Sequence, residues 1–166
     1  MLLTDQPVLD PRVYRDGMAR YAGHVQIVTT RLAGVLRGVT VTAACSVSDA
    51  PPTVLVCLNG SNRNNDIFEQ SRVFALNSLA AHHQPLAAAF AGMGGVPSQE
   101  RFGLGAWREL VTGAPVLEDA AISFDCELME VKRMSTHFVM FGAVKAMHFG
   151  PTAPSLIYLD RGFRAL

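Results

Sequence analysis

The sequence predicts a mostly β fold, a barrel with a few short peripheral helices. Three observations support this prediction. Short runs rich in Val, Ile, Thr and Phe recur along the chain, separated by turns that contain Gly, Pro or Asn. Helical patterns are few and short, and they do not alternate with strands as a doubly wound sheet requires. With 166 residues, 49% of them hydrophobic, the chain is expected to form one domain over residues 1–166 with a substantial core.

Helices are predicted at three places. Residues 11–21 follow Asp10, a good N-cap, and begin with Pro11, whose missing N–H costs nothing there. The apolar side of this helix is expected at Val13, Met18 and Tyr21. Two shorter helices are predicted at 67–71, after a polar Asn-rich loop, and at 84–93, which is rich in alanine.

Seven strands are predicted from runs of β-branched and aromatic residues. They are residues 24–30, 38–45, 53–58, 73–79, 121–131, 137–148 and 155–159. Residues 31–37 are interpreted as a hairpin loop around Gly34, and 113–115 as a turn. The glycine-rich segment 92–105 is a candidate lid.

The second predicted strand has an unusual composition. Residues 40–46 read Thr-Val-Thr-Ala-Ala-Cys-Ser, where a core strand would carry bulky side chains. Such a strand leaves room beside its backbone and offers hydroxyl and N–H groups. This pattern favours a flat, anionic ligand lying along a sheet edge.

Composition excludes several classes of protein. The 14 basic and 14 acidic side chains cancel, and no basic stripe or polybasic cluster is present, so neither a nucleic acid nor a membrane surface is an expected partner. The N-terminus lacks the pattern of a signal peptide and no apolar run is long enough to span a bilayer, so a cytoplasmic location is predicted. Cys45, Cys57 and Cys126 are interpreted as buried, reduced thiols.

Common catalytic motifs are absent from the sequence. Gly103 and Gly105 begin like a dinucleotide fingerprint, but Arg108 takes the third glycine's place. No Walker sequence, Gly-x-Ser-x-Gly or metal-ligand spacing occurs, and the adjacent His82 and His83 are predicted to lie on the surface. Two residues are candidates for ligand contact from chemistry alone: His137 at a strand tip, and Arg63 just before a predicted helix, where a phosphate could bind.

Several segments, in this order and spacing, resemble the small flavin reductases that supply reduced flavin to two-component monooxygenases. The resemblance covers the chain from about Tyr14 to Phe163. It is carried by residues 25–30, 42–58, 100–102, 113–117, 123–126, 136–137 and 156–161. One departure is Ser135, which stands where this family usually has glycine before the Thr-His pair.

The resemblance implies a split β-barrel that binds FMN or FAD, works as a homodimer and uses NADH or NADPH. His137 would be the catalytic residue, contacting the nicotinamide, and no metal is implied. Reduced flavin would pass to a partner monooxygenase. The residues implied in cofactor binding are Thr40, Val41, Thr42, Ala43, Ala44, Cys45, Ser46, Val47, Ser61, Asn62, Arg63, Arg101, Tyr158 and Arg161.

Three alternatives remain open at this point. The flavin could pass electrons to a cobalt(II) corrinoid, such as cob(II)yrinic acid a,c-diamide, since corrinoid reductases resemble the same family. The protein could also bind flavin without catalysis. The third alternative is a structural β-barrel dimer without a cofactor.

Overall fold

The computed structural model describes residues 9–166 and contains one large sheet, two small ones and short helices. The strands are β1 (Gly23–His24), β2 (Gln26–Leu32), β3 (Val35–Val41), β4 (Ala44–Asp49), β5 (Pro52–Asn59), β6 (Val73–Ser78), β7 (Trp107–Arg108), β8 (Val116–Leu117), β9 (Ile122–Arg133), β10 (His137–Phe149), β11 (Leu156–Leu159) and β12 (Gly162–Ala165). The α-helices are α1 (Pro11–Ala19), α2 (Asp66–Ser71) and α3 (Gln84–Phe90). Short 3₁₀ turns lie at Arg63–Asn65, Ala81–His83, Met93–Gly95 and Arg101–Leu104.

The large sheet must curl into a barrel because of one short connection. Its order is β3-β2-β6-β9-β10-β5-β4, so β3 and β4 lie at opposite edges. Only Thr42 and Ala43 separate Val41, the last residue of β3, from Ala44, the first of β4. Three Cα steps reach at most about 11 Å. The edges of a flat sheet of seven strands would be about 29 Å apart. The two edges therefore meet in space without pairing, and the predicted split barrel is confirmed.

Apolar side chains fill the barrel. Phe68 of α2 closes one end, and Phe74 and Met140 lie at its centre with no exposed surface. Gly142 leaves the space that the Phe74 ring occupies, since a Cβ there would come within 2.4 Å of that ring. Because each inward position is buried by neighbours from several strands, this core fixes the register of the whole sheet.

A second apolar cluster joins the outside of the barrel to α3. Phe90 packs edge-on against Phe102, with ring centroids 5.0 Å apart. Gly38 of β3 lets the Phe90 ring approach, because a Cβ at that position would come within 2.3 Å of it. The Thr40 hydroxyl donates to the Ala87 carbonyl at 2.7 Å and so ties β3 to the helix.

Two predicted segments differ from the structure around β3. The predicted loop 31–37 shrinks to Ala33 and Gly34, both with positive φ, because a tight turn with this geometry matches the twist of β2 and β3. The predicted strand 38–45 is wrong as one element. It breaks at Thr42, where the Ala44 N–H turns back to the Thr42 carbonyl at 3.2 Å and the chain crosses between sheet edges.

The two chain ends also depart from the prediction. Helix α1 is capped by Asp10 as predicted but buries none of its residues, so its apolar side chains remain exposed. Strand β12 was not predicted. It pairs with β11 through a turn at Asp160 and Arg161, both with positive φ. Among the described helices, none has the length and apolar character needed to cross a membrane.

Candidate functional site

A cavity of about 640 Å³ lies between α1, the β4–β5 pair and the β11–β12 hairpin. It brings together six of the residues predicted to bind the cofactor: Thr42, Ala43, Ala44, Cys45, Tyr158 and Arg161. Sequence reasoning did not assign Arg15, Met18, Tyr21, Gly23, Leu55 and Cys57 to this site, although they also line it. The exposed apolar residues in and just after α1 were the available signal, because Met18 and Tyr21 line the cavity and are not part of the core.

Strand β4 borders this cavity as an edge strand. It pairs with β5 on one side, and within residues 9–166 no strand pairs with its other side. Backbone polar groups along that side are available to a ligand. The structure therefore has a free sheet edge where the sequence predicted one, and ligand binding there stays a prediction.

The other residues predicted along this stretch point elsewhere. Thr40 bonds to α3, and Val41 is buried in the barrel core. Ser46 lines a neighbouring cavity of about 490 Å³, which Cys45 also lines. Val47 is 47% exposed and lines neither cavity. The structure thus brings only the middle of the predicted 40–47 stretch to the first cavity.

The three cysteines differ in environment, and the prediction that all are buried is wrong for Cys45. Cys45 is exposed because β4 is an edge strand, whereas Cys57 is half-buried and Cys126 is buried. Burial, followed by the neighbouring Cys45, raises the pKa of Cys57 above its ordinary value. Burial, followed by the charge of Asp125, raises the pKa of Cys126 to about 12. All three are free thiols.

The C-terminal hairpin closes the cavity. Tyr158 pairs with Gly23 in β1 and packs on the Phe163 ring, with centroids 5.4 Å apart. The Asp160 N–H donates to the carbonyl of Ala19 at 2.7 Å, and Arg161 forms an ion pair with Asp16. Both links hold α1 over the cavity, because α1 has no buried face of its own.

A second group of predicted residues meets at the end of β5. Ser61 donates through its N–H and its hydroxyl to Asn59 Oδ1, at 2.9 and 2.7 Å. His137 pairs with Asn59 in the sheet and is exposed, and its Nδ1 lies 2.9 Å from the Thr136 hydroxyl. The structure therefore brings His137 to the loop of Ser61, Asn62 and Arg63. Cys57, two residues before Asn59, connects this group to the first cavity.

The backbone conformation at Ser135 does not require the glycine that the resembled family usually has at this position. Residues with positive φ favour glycine, and Ser135 is not among those in the described chain. The serine is therefore accommodated without backbone strain next to His137.

The segment predicted as a lid is anchored at its second half. Phe102 is 8% exposed, and its carbonyl accepts from Trp107 Nε1 at 2.9 Å. Arg101 donates to the Val96 carbonyl at 3.0 Å and does not line the first cavity. Movement of residues 101–105 would therefore separate the packed rings of Phe102 and Trp107. Only the exposed residues before Arg101 could then move as a lid.

The prediction that both His82 and His83 lie on the surface is wrong for His83. In the 3₁₀ turn both rings approach Asp119, with N···O distances of 3.1 Å and 3.0 Å. His83 is 5% exposed, and its Nδ1 accepts the Ala80 N–H at 3.1 Å. Neutral His83 then carries its proton on Nε2, which faces Asp119. The ligand atoms of His82, His83 and Asp119 lie within 4.8 Å of one another, a spacing that could hold a metal ion, but a protonated Nε2 has no lone pair to offer it.

The two histidine rings change the pKa of Asp119. Its partial burial raises the pKa, but the hydrogen bonds of His83 and His82 outweigh that effect. The pKa of Asp119 therefore lies below its ordinary value. This cluster lines a separate cavity of about 800 Å³ that contains none of the residues predicted to bind the cofactor.

The barrel and its edge strand define a class of small split-barrel proteins, and comparison with known proteins narrows that class. Residues 18–166 match the model of the flavin reductase like domain, so the chain belongs to this family.

Curated relatives support this assignment. FMN reductase (NADH) RutF of Agrobacterium fabrum is 44% identical over 153 residues, covering 92% of this chain and 87% of that protein. The RutF of Variovorax paradoxus is 44% identical over 160 residues, covering 96% and 88%. Among solved structures, nitrilotriacetate monooxygenase component B from Mycobacterium thermoresistibile has a TM-score of 0.86 and 26% identity, covering 95% of this chain and 87% of that one.

Proposed function

We propose that the chain is an NAD(P)H:flavin oxidoreductase that reduces FMN, or FAD, and supplies the reduced flavin to a partner monooxygenase. The names of the RutF relatives support FMN and NADH as its substrates. The observation that carries the proposal is the edge strand β4, whose residues Ala44 and Cys45 line the cavity together with Tyr158.

The size and lining of the cavity support binding of an isoalloxazine ring. Its volume, about 640 Å³, lies within the range of small-molecule sites. Leu55 and Met18 offer apolar surface for the flat ring, while the backbone from Thr42 to Cys45 offers polar groups at one edge. A flat ring with a polar rim needs this combination.

The chain's own residues would bind and orient the two substrates. Hydride transfer is chemistry that nicotinamide and flavin supply between them when bound. Backbone N–H groups along the unpaired side of β4, other than that of Ala44, would hold the polar edge of the ring and stabilise its negative charge after reduction. His137 would position the nicotinamide, and no side chain is required to act as acid or base.

Ser61, Asn62 and Arg63 would hold the flavin phosphate. Arg63 has 87% of its side chain exposed and lies 3.7 Å from Asp66, a spacing that leaves its guanidinium able to reach a ligand. Asn62 already caps the following turn by accepting the Asn64 N–H at 3.1 Å. The loop is thus ordered by its own side chains before a phosphate binds.

The proposal includes a homodimer of single domains, each formed by residues 1–166, in the cytoplasm. Exposed apolar side chains on the barrel support an interface between copies. Met129 of β9 is 52% exposed, and Met147 and Phe149 at the end of β10 are 45% and 73% exposed. The name of the monooxygenase component B neighbour supports a monooxygenase as the recipient of reduced flavin.

One assay tests the proposed function against its alternatives. Purified protein is mixed with NADH, and NADH oxidation is followed with and without added FMN. Oxidation that depends on FMN supports the proposal. Oxidation that depends on a cobalt(II) corrinoid instead would favour the corrinoid alternative. Flavin binding without NADH oxidation would favour a binding module, and no flavin binding would favour a structural barrel.

A further inference from the structure

A buried arginine without a carboxylate partner lies beside the loop of Ser61–Arg63. Arg37 of β3 is 8% exposed and shares a cavity with residues of α2. Within residues 9–166 no carboxylate lies within ion-pair distance of it. Its contacts are neutral: Nε and Nη2 donate to Asn65 Oδ1 at 3.2 and 2.8 Å, and Nη1 donates to the Ser98 hydroxyl at 3.3 Å.

The surroundings of Arg37 make its charged form less stable than it is in water. Desolvation by burial, and then the nearby Arg101 guanidinium, lower the pKa of Arg37 from its ordinary value. A buried charge that lacks an opposite charge is destabilising, and a second cation close by adds to that. A bound anion would remove both effects.

A cavity is present where such an anion would lie. It has a volume of about 570 Å³, and Arg37, Arg63, Asn64, Ser98 and Gln99 line it together with apolar residues of the β2–β3 turn. Asp66 also lines it and lies 3.7 Å from Arg63. Two guanidinium groups and several neutral donors therefore face one space that contains a single carboxylate.

Arg37 is also linked to the proposed flavin-phosphate loop. Asn65, which accepts two hydrogen bonds from Arg37, donates through Nδ2 to the Asn59 carbonyl at 3.0 Å. The Asn65 N–H donates to the Asn62 carbonyl at 2.9 Å. Asn65 thus holds both ends of residues 59–62, and Arg37 fixes the orientation of Asn65.

We propose that this cavity binds the phosphate group of a nucleotide substrate, with Arg37 as the buried cation and Arg63 as the exposed one. The inference rests on the proposed function for the identity of the nucleotide. A bidentate guanidinium suits phosphate oxygens. The phosphate is either the monophosphate of the flavin or the 2′-phosphate of NADPH, and the test separates the two.

The first test replaces Arg37 by methionine, which keeps an unbranched apolar side chain and removes the guanidinium group with its charge. Flavin dissociation constants are measured with FMN and with riboflavin, and KM with NADPH and with NADH. Arg37→Met is expected to weaken either FMN or NADPH at least about tenfold, and riboflavin or NADH, which lack the phosphate concerned, less than about twofold. Loss with FMN assigns the flavin phosphate, and loss with NADPH assigns the 2′-phosphate. Arg31→Met, an exposed change on β2 outside this cavity, is the matched control and should change neither pair.

The second test leaves Arg37 in place, so it does not depend on the stability of Arg37→Met. Ser98 is exposed and adjacent to Arg37, so Ser98→Asp puts a carboxylate where the phosphate would bind. We expect Ser98→Asp to weaken the same ligand as Arg37→Met does, without lowering the Tm, while Ser98→Ala changes little. Equal effects on both members of each pair, or no effect of either variant, would overturn the inference.

Failure of the proposed function would be distinguishable from failure of this inference. If the wild-type protein bound no flavin, the proposed function would fail. The cavity would then be tested with inorganic phosphate alone, which should raise the Tm of the wild-type protein and not that of Ser98→Asp. Equal Tm changes in the two proteins would contradict the phosphate site itself.

Discussion

Cys45 on β4 and Cys57 on β5 face the same cavity from neighbouring strands. Cys57 donates its N–H to the carbonyl of Ala43 at 2.9 Å, so the two cysteines are offset by two positions on one face of the sheet. The labelling rate of either thiol should therefore depend on whether a ligand occupies the cavity.

Thiol labelling provides the first prediction. We expect Cys45 to react first in the folded protein because it is exposed, and Cys57 to react more slowly because its pKa is raised. Cys126, with a pKa of about 12, should react only after unfolding. FMN should slow labelling of Cys45 and Cys57, measured by mass spectrometry at timed intervals. An unchanged rate at Cys45 with saturating FMN would place the flavin elsewhere.

His137→Ala tests the position of the nicotinamide. His137 is exposed at the start of β10, so the substitution should leave the barrel intact. KM for NADH should rise about fivefold, the value of one ordinary hydrogen bond, while the FMN dissociation constant changes less. The matched control is His148→Ala near the other end of the same strand, which should leave both constants unchanged. Identical NADH kinetics in His137→Ala would remove this residue from the site.

Gly38→Ala tests the packing of α3 on the barrel. Because the added Cβ would come within 2.3 Å of the Phe90 ring, the free energy of unfolding should fall by about 1–3 kcal/mol. Gly17→Ala in α1 has open space at its Cβ and should raise the stability by at most about 1 kcal/mol. Urea unfolding measures both changes. Equal stabilities of Gly38→Ala and the wild-type protein would contradict the close approach of Phe90 to β3.

Asp119 provides a prediction about pH. Its folded-state pKa is lowered, so it stabilises the protein above its ordinary pKa of 3.8, and this contribution is lost as the pH falls further through the lowered value. Asp119→Asn should therefore lower the free energy of unfolding near neutral pH, by less than about 1 kcal/mol because the side chain is half exposed. The difference from wild type should shrink below pH 3.8. Glu109→Gln, also half exposed, is the control. A difference that grows in acid would refute the paired state of Asp119.

Local patterns in the sequence predicted the barrel strands well. β2 is rich in Ile, Val and Thr, β9 alternates apolar and polar residues over its first half, and β10 is a long apolar run; none of these patterns needed tertiary information. The break at Thr42 was not predictable, because residues 38–45 read as one continuous strand. Only the position of β3 and β4 at opposite sheet edges forces the chain to turn there.

The candidate site was predictable in part, for a related reason. The small residues from Thr42 to Cys45 are local and could be identified. Arg37, Arg63 and Ser98 are distant in sequence, and their shared cavity exists only after β3, the loop after β5 and the segment after α3 come together. The contact of His83 with Asp119 likewise depends on a 3₁₀ turn that brings adjacent side chains to one side.

The most direct test of flavin binding in this cavity compares the FMN affinity of the wild-type protein with that of a variant whose cavity is blocked. Cys45→Trp adds a large side chain at an exposed position that lines the cavity, so it should fill the space without disturbing the core. FMN titration followed by flavin fluorescence should give micromolar affinity for the wild-type protein and at least about a tenfold loss for Cys45→Trp, in line with lost apolar contact and lost backbone hydrogen bonds. Equal affinities of the two folded proteins, or no binding by the wild-type protein, would contradict the account.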